Sequence, residues 1–129
     1  MQSHHVLAPI SLGELIDKIT ILQIKRRYCQ GNNLNHVQAE LNALEEILER
    51  LHLNVDNGLI KELKKVNQEL WKIEDDIREQ EHQKNFGENF IRLARAVYQK
   101  NDQRSIIKQT INTNYGSTIM EVKTYRRYN

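Results

Sequence analysis

Two apolar stripes constrain this chain more than any other feature. Leu63, Val66, Leu70, Ile73 and Ile77 alternate spacings of three and four, and so do Val37, Leu41, Leu44, Leu48 and Leu51. That period lays each set along one side of an α-helix and does not fit the two-residue repeat of a strand. Residues 54–58 separate the stripes, and Asp56 is suited to cap the helix that follows. Two matching stripes joined by a short connection predict an antiparallel helical hairpin over residues 35–83. Its second helix, about Asn57 to Gln83, would be roughly 40 Å long at ~1.5 Å per residue.

The remaining segments are also helical in pattern. Ser11-Leu12-Gly13-Glu14 matches a capping box, so a helix should start there and run to about Gln30. Leu12, Leu15, Ile16, Ile19 and Leu22 form one face of it, and Ile21, Ile24 and Tyr28 another. Apolar residues on two faces imply a central helix. Glu14, Asp17, Lys18 and Thr20 then sit near a crowded interior. Gly31-Asn32-Asn33 reads as a loop, with the second helix from about Asn35 to Leu53. Beyond Asn85-Phe86-Gly87, a fourth helix carries Phe90, Leu93, Ala94, Val97 and Tyr98 on one face. Residues 88–113 fit either one bent helix or two, with Asp102 capping the second. Residues 1–10 read as an extended arm. Residues 116–129 read as a tail able to pair with residues 4–10. One proline and five glycines leave few turns for a multi-stranded fold. The expected fold is all-α: a single helical domain over residues 1–129, a bundle of four or five helices built on a long hairpin.

Charge and composition narrow the function classes. No apolar run approaches the ~18–20 residues that span a bilayer, and the first residues lack the pattern of a signal peptide. The single cysteine, Cys29, excludes an internal disulfide. These features point to the cytoplasm and to no membrane partner. A formal net charge of +2 does not argue for nucleic acid. The basic and aromatic tail residues Lys123, Tyr125, Arg126, Arg127 and Tyr128 read as solvated or interfacial. Between Glu74 and Glu81 lie five acids and one arginine; between Glu88 and Lys108 lie five basic residues and two acids. The two segments should pack side by side, either as solvated faces or as two walls of one polar cleft.

The best candidate site borders the Leu63–Ile77 stripe. Asn67, Trp71, Glu74 and Arg78 form a row beside it. With Lys18 and Asp17 from the first helix and Arg92 and Arg95 from the fourth, they could line a pocket for an anion, since arginine pairs with carboxylate or phosphate through two parallel bonds. The competing reading is internal pairing, Arg78 with Glu74 and Arg95 with Asp102 or with the acids of the third helix, with Trp71 as core. For a metal, Asp76-x-x-Glu79 has the acid-x-x-acid spacing, with Glu46-x-x-Glu49 on the second helix as its obvious partner. The pattern fails at Glu74, which is followed three residues on by Ile77, and no histidine pair has ligand spacing. No metal and no cofactor is expected. Cys29 reads as a small hydrophobe, and neither a nucleophile elbow nor a glycine-rich phosphate loop occurs.

Several words carry a wider resemblance: Gly13-Glu-Leu-Ile-Asp-Lys-Ile-Thr-Ile-Leu22, Leu70-Trp-Lys-Ile-Glu-Asp-Asp-Ile-Arg78, Phe90-Ile-Arg-Leu-Ala-Arg-Ala-Val-Tyr98, Asn101-Asp102, and Gly116 to Tyr125. Together they resemble an uncharacterised family of small helical proteins from bacteria and from viruses of cyanobacteria, over roughly Val6 to Tyr125. The resemblance implies proximity to glycosyltransferase-type proteins and hence to surface-glycan metabolism. This chain has Ser11-Leu12 where the family leads one to expect serine-tryptophan.

The expected function is a non-catalytic helical binding or accessory protein. Self-association is part of that reading, because a small domain struggles to cover a first helix with two apolar faces, so a homodimer is expected, with a further protein partner possible. The alternative is an enzyme or binder for a phosphorylated or carboxylated metabolite in a cleft between helices one, three and four. A buried, water-filled pocket with unpaired Lys18, Asp17, Arg78 or Arg95 would favour the alternative; fully paired polar residues would favour the binding protein.

Overall fold

The computed structural model describes residues 4–127 and contains four helices: α1 (Leu12–Lys25), α2 (Gly31–Arg50), α3 (Asn57–His82) and α4 (Glu88–Asn114). No strand occurs among the described residues. Among the described residues no helix is long and apolar enough to cross a membrane. Residues 1–3 of the expected arm, and Tyr128 of the tail, lie outside the described residues.

Side-chain caps set the starts of α1 and α3. The Ser11 hydroxyl accepts from Glu14 N at 3.1 Å, and the Asp56 carboxylate accepts from Gly58 N at 2.8 Å. Glu14 does not complete the capping box, because its carboxylate is engaged by Lys108. α1 ends at Lys25, earlier than the expected Gln30. Turns closed by Arg27 N on Ile24 O and Tyr28 N on Lys25 O end it. Gly31 then takes φ +62°, where a side chain would be strained. That turn lets α2 begin at Gly31, so the expected Gly31–Asn33 loop is the first turn of α2. The helix stops at Arg50, and His52, with φ 52°, turns the chain away.

α4 is one helix of 27 residues. Asn101 and Asp102 are poor helix formers by only a few tenths of a kcal/mol each, which packing overrides. Neither caps a new helix. Asn101 Oδ1 accepts from Arg104 Nη1 at 3.5 Å, and the Asp102 carboxylate accepts from the Tyr125 hydroxyl.

The hairpin that forms the spine is α3–α4, not the expected pairing of residues 35–83. α3 and α4 share the most extensive contact, α1 packs against all three other helices, and α2 packs on α1 alone. The central position of α1 explains the exchange. Leu12, Leu15, Ile16, Ile19 and Leu22 join Val37 and Leu41 of α2, Leu63 of α3 and Ile111 of α4 in one core. α1 thus takes the apolar stripe of α2 that would otherwise have met α3.

The tail does not pair with residues 4–10. It folds back along α4 and α1: Ser117 Oγ accepts from Leu12 N at 3.3 Å, and Ser117 N donates to Asn112 O at 2.9 Å. Tyr115 closes the same end, its hydroxyl accepting from Asp56 N at 2.6 Å.

Candidate functional site

The polar centre of the molecule is built where α1 crosses α3 and α4. Glu14, Asp17 and Thr20 recur every three residues, and Arg104, Lys108 and Asn112 every four, so each set occupies one side of its helix. The helices run in opposite directions, which sets Gly13 on Asn112, Glu14 on Lys108 and Asp17 on Arg104. Gly13 N donates to Asn112 Oδ1 at 2.7 Å, and Lys108 Nζ donates to Glu14 Oε2 at 2.6 Å. Arg104 holds both oxygens of Asp17, through Nε at 2.8 Å and through Nη2.

Asp17 is fully buried. A carboxylate there is tolerable only when its lone pairs are used. Besides the arginine fork, Asn67 Nδ2 donates to Asp17 Oδ1 at 2.9 Å and also to Thr20 Oγ1 at 2.9 Å. Thr20 in turn donates to Asp17 O at 2.8 Å. Lys108, 6% exposed, lies 4.0 Å from Asp17 Oδ2 and bonds Glu121 of the tail at 2.8 Å. Glu121 is also paired with Lys123 at 2.7 Å. Three carboxylates therefore enclose two cations, with Lys123 at the rim. The Nδ2 of Asn112 is buried and without a hydrogen-bond partner among the described residues.

The charges lock one another in place. The hydrogen-bonded carboxylate of Asp17 raises the Arg104 guanidinium further, against the effect of burial. Burial pulls the Lys108 ammonium down, but the bonds to Glu121 and Glu14 and the charge of Asp17 outweigh it, so its pKa lies above the ordinary lysine value. Lys108 and Lys123 together lower the Glu121 carboxyl to about 2. A depressed carboxyl contributes stability above its unfolded pKa and loses it as pH falls through the folded value. The Glu121 contribution should thus be intact at pH 5 and above and fade between about 4.5 and 2. Thermal melts of the wild type and of Glu121→Gln should differ at pH 7 and converge towards pH 2.5. A gap that persists at low pH would refute this.

The family comparison can be set beside this geometry. The model of a family of unknown function (DUF6165) matches residues 6–128. The chain belongs to that family. No curated protein and no solved structure matches it.

In this family member the residues singled out from the sequence fall into separate places. Asp17 and Asn67 meet in the polar centre. Lys18 is exposed and reaches Glu14 at 3.9 Å. Trp71 is half-buried and stacks on Tyr28, centroids 5.0 Å apart. Glu74 and Arg78 are exposed on the outer part of α3 and do not pair with each other. Arg92 bonds Asn89 at 2.6 Å, and Arg95 reaches the Tyr98 hydroxyl at 3.4 Å; neither approaches Lys18 or Asp17, and Arg95 does not pair with Asp102. Among the described residues, no three His, Cys, Asp or Glu side chains gather as a metal site. Glu46 is paired with Arg50, Asp76 with Lys72 at 3.4 Å, and Glu79 accepts from Gln83 at 2.9 Å. Glu49 lies exposed on α2.

Arg104, Lys108 and Glu121 were not singled out from the sequence as site residues. A signal for two of them existed: acids three apart on α1 match basic residues four apart on α4, rows that complement each other when helices cross antiparallel.

Proposed function

We propose that this is a cytoplasmic, non-catalytic helical binding or accessory protein that works through its surfaces. The observation that carries the reading is the mutual pairing of the charges in the polar centre. Both oxygens of Asp17 are held by Arg104 and Asn67, and Lys108 is held between Glu14 and Glu121. A catalytic acid, base or anion-binding cation needs an open valence towards a ligand, and these groups spend theirs on one another. The lone cysteine, Cys29, is not in a disulfide, which suits a reducing compartment.

Exposed aliphatics support the same reading. Val6 and Leu7 are 84% and 83% exposed, and with Ile10, Ile47, Leu51 and Leu53 they face a groove of about 590 Å³ beside α1 and α2. Among the described residues, Lys18 and Glu40 are the only charged ones on its lining. Apolar surface gathered in this way suits an apolar segment of another polypeptide better than a polar metabolite.

Thermal-shift measurement against phosphorylated and carboxylated metabolites at millimolar concentration tests the proposal. No saturable rise in melting temperature is expected. A rise that disappears in Arg104→Ala or Lys108→Met would overturn it in favour of a small-molecule enzyme or binder.

A further inference from the structure

The net charge of +2 conceals an uneven surface. α2 carries four glutamates against Arg50, and residues 74–81 of α3 carry five acids against Arg78. Cations gather elsewhere. Lys25, Arg26 and Arg27 close α1 in consecutive positions, and Lys61 and Lys64 lie on the first turns of α3. Among the described residues none of these five side chains makes an ion pair or a hydrogen bond. The backbone carbonyls at the C-terminus of α1 attract cations, which accounts for one or two of the three there. They do not account for Lys61 and Lys64.

The two groups meet at an aromatic stack. Tyr28 follows Arg27 directly, and Trp71 follows Lys64 by two turns of α3. The two rings lie 5.0 Å apart with their planes 17° from parallel. Trp71 covers one face of the tyrosine ring, yet Tyr28 is 64% exposed, so its other face is open to solvent. Around α3, Lys64 lies about 20° from Trp71 and Lys61 about 80°. Glu62 and Glu69, the two acids of α3 before Trp71, lie about 180° and about 160° away, on the opposite side. Glu69 is paired there with Lys100. Acids join this face only past Trp71, from Glu74 onwards. From Lys61 to Trp71 the helix rises about 15 Å. A short basic run therefore ends on an open aromatic platform.

We infer that this surface binds single-stranded nucleic acid. A base stacks on the open face of Tyr28, with Trp71 behind it, while Arg27, Lys61 and Lys64 meet the phosphates beside it. Cations alone would hold any polyanion. An open π-face favours one with bases to stack. A duplex keeps its bases within its own stack, so it gains only the phosphate contacts. The basic run is short, so few phosphates are met and the affinity is modest and dependent on salt. The inference goes beyond the binding-protein reading by giving the chain a second surface. None of these residues lines the apolar groove beside α1 and α2.

Titration of the full chain into a labelled oligothymidylate of about 12 nucleotides, within the usual range of site sizes, is the test. Saturable binding at low salt is expected by fluorescence anisotropy, with quenching of Trp71, the single tryptophan of the chain. Tyr28→Leu keeps Trp71 covered but removes the aromatic face. It should weaken binding about tenfold and leave the salt dependence unchanged. Arg27→Gln and Lys64→Gln should each lower the slope of log affinity against log salt by about 0.7. All three positions lie outside the core, so helical circular dichroism should not change. Absence of binding would overturn the inference, and so would equal affinity for a duplex of the same length. Full affinity in Tyr28→Leu would overturn it too, and would mark a surface for acidic polypeptides instead. Each of these results leaves the binding-protein reading standing. Stabilisation by a small metabolite would sink that reading and leave the oligonucleotide titration unaffected.

Discussion

Replacing Asp17 with alanine is expected to cost about 3–5 kcal/mol of stability. The side chain is 0% exposed and is held by Arg104 and Asn67, so that it ties three helices together. Its removal leaves the Arg104 guanidinium partly buried without its carboxylate, and Asn67 without one of its two acceptors. A domain of this size has roughly 5–15 kcal/mol in total, so the variant should sit close to unfolding at room temperature. Urea denaturation at pH 7 gives the number. A loss under 1 kcal/mol would mean that the ion pair contributes little to holding α1 against α4. A paired change, Asp17→Leu with Arg104→Met, should recover much of the loss, because burying two charges is costly even when they meet.

Gly13→Ala should also be strongly destabilising, against the ordinary rule. Inside an exposed helix, alanine stabilises by about 1 kcal/mol relative to glycine. At Gly13 an added Cβ would meet the backbone oxygen of Lys108 at 2.6 Å and Asn112 Oδ1 at 3.0 Å. Backbone cannot swing aside as a flexible side chain can, so α1 would have to lift from α4. That shift would stretch the 2.7 Å bond from Gly13 N to Asn112 Oδ1 and the contacts of Glu14 with Lys108 and Asp17 with Arg104. A cost near 3 kcal/mol, the upper part of the usual range for overpacking, is expected. Thermal melting checks it, and an increase in melting temperature would show that the two helices are not in close register here.

The all-helical architecture was legible because its signals are local, although they fit either one helix or two over residues 88–113. Apolar periods of three and four, the Ser11 and Asp56 caps, and the scarcity of proline depend on residues within a few positions of one another. Asp17 and Asn67 could be marked as site candidates on the same grounds, as polar positions beside inward-facing stripes. Helix ends were less secure: Gly31 could serve as a loop residue or as a left-handed turn directly into α2, and only the fold chose.

Pairing was a tertiary decision. The stripes of α2 and α3 share one period and match each other as well as either matches a third helix, so periodicity cannot rank the combinations. α1 broke the tie by packing against all three other helices, taking α2 for itself and leaving α3 to α4. The polar centre followed from that choice. Arg104 lies 87 residues from Asp17, and Lys108 lies 94 from Glu14. Charge alone cannot say which of many acids a distant base will meet. The sequence by itself determined the helices and the inward placement of Asp17 and Asn67. The close crossing of α1 over α4, which Gly13 permits, decided that Arg104 and Lys108 rather than Arg78 and Arg95 would answer them, because a buried carboxylate must be met by whichever cations the packing brings within bonding distance.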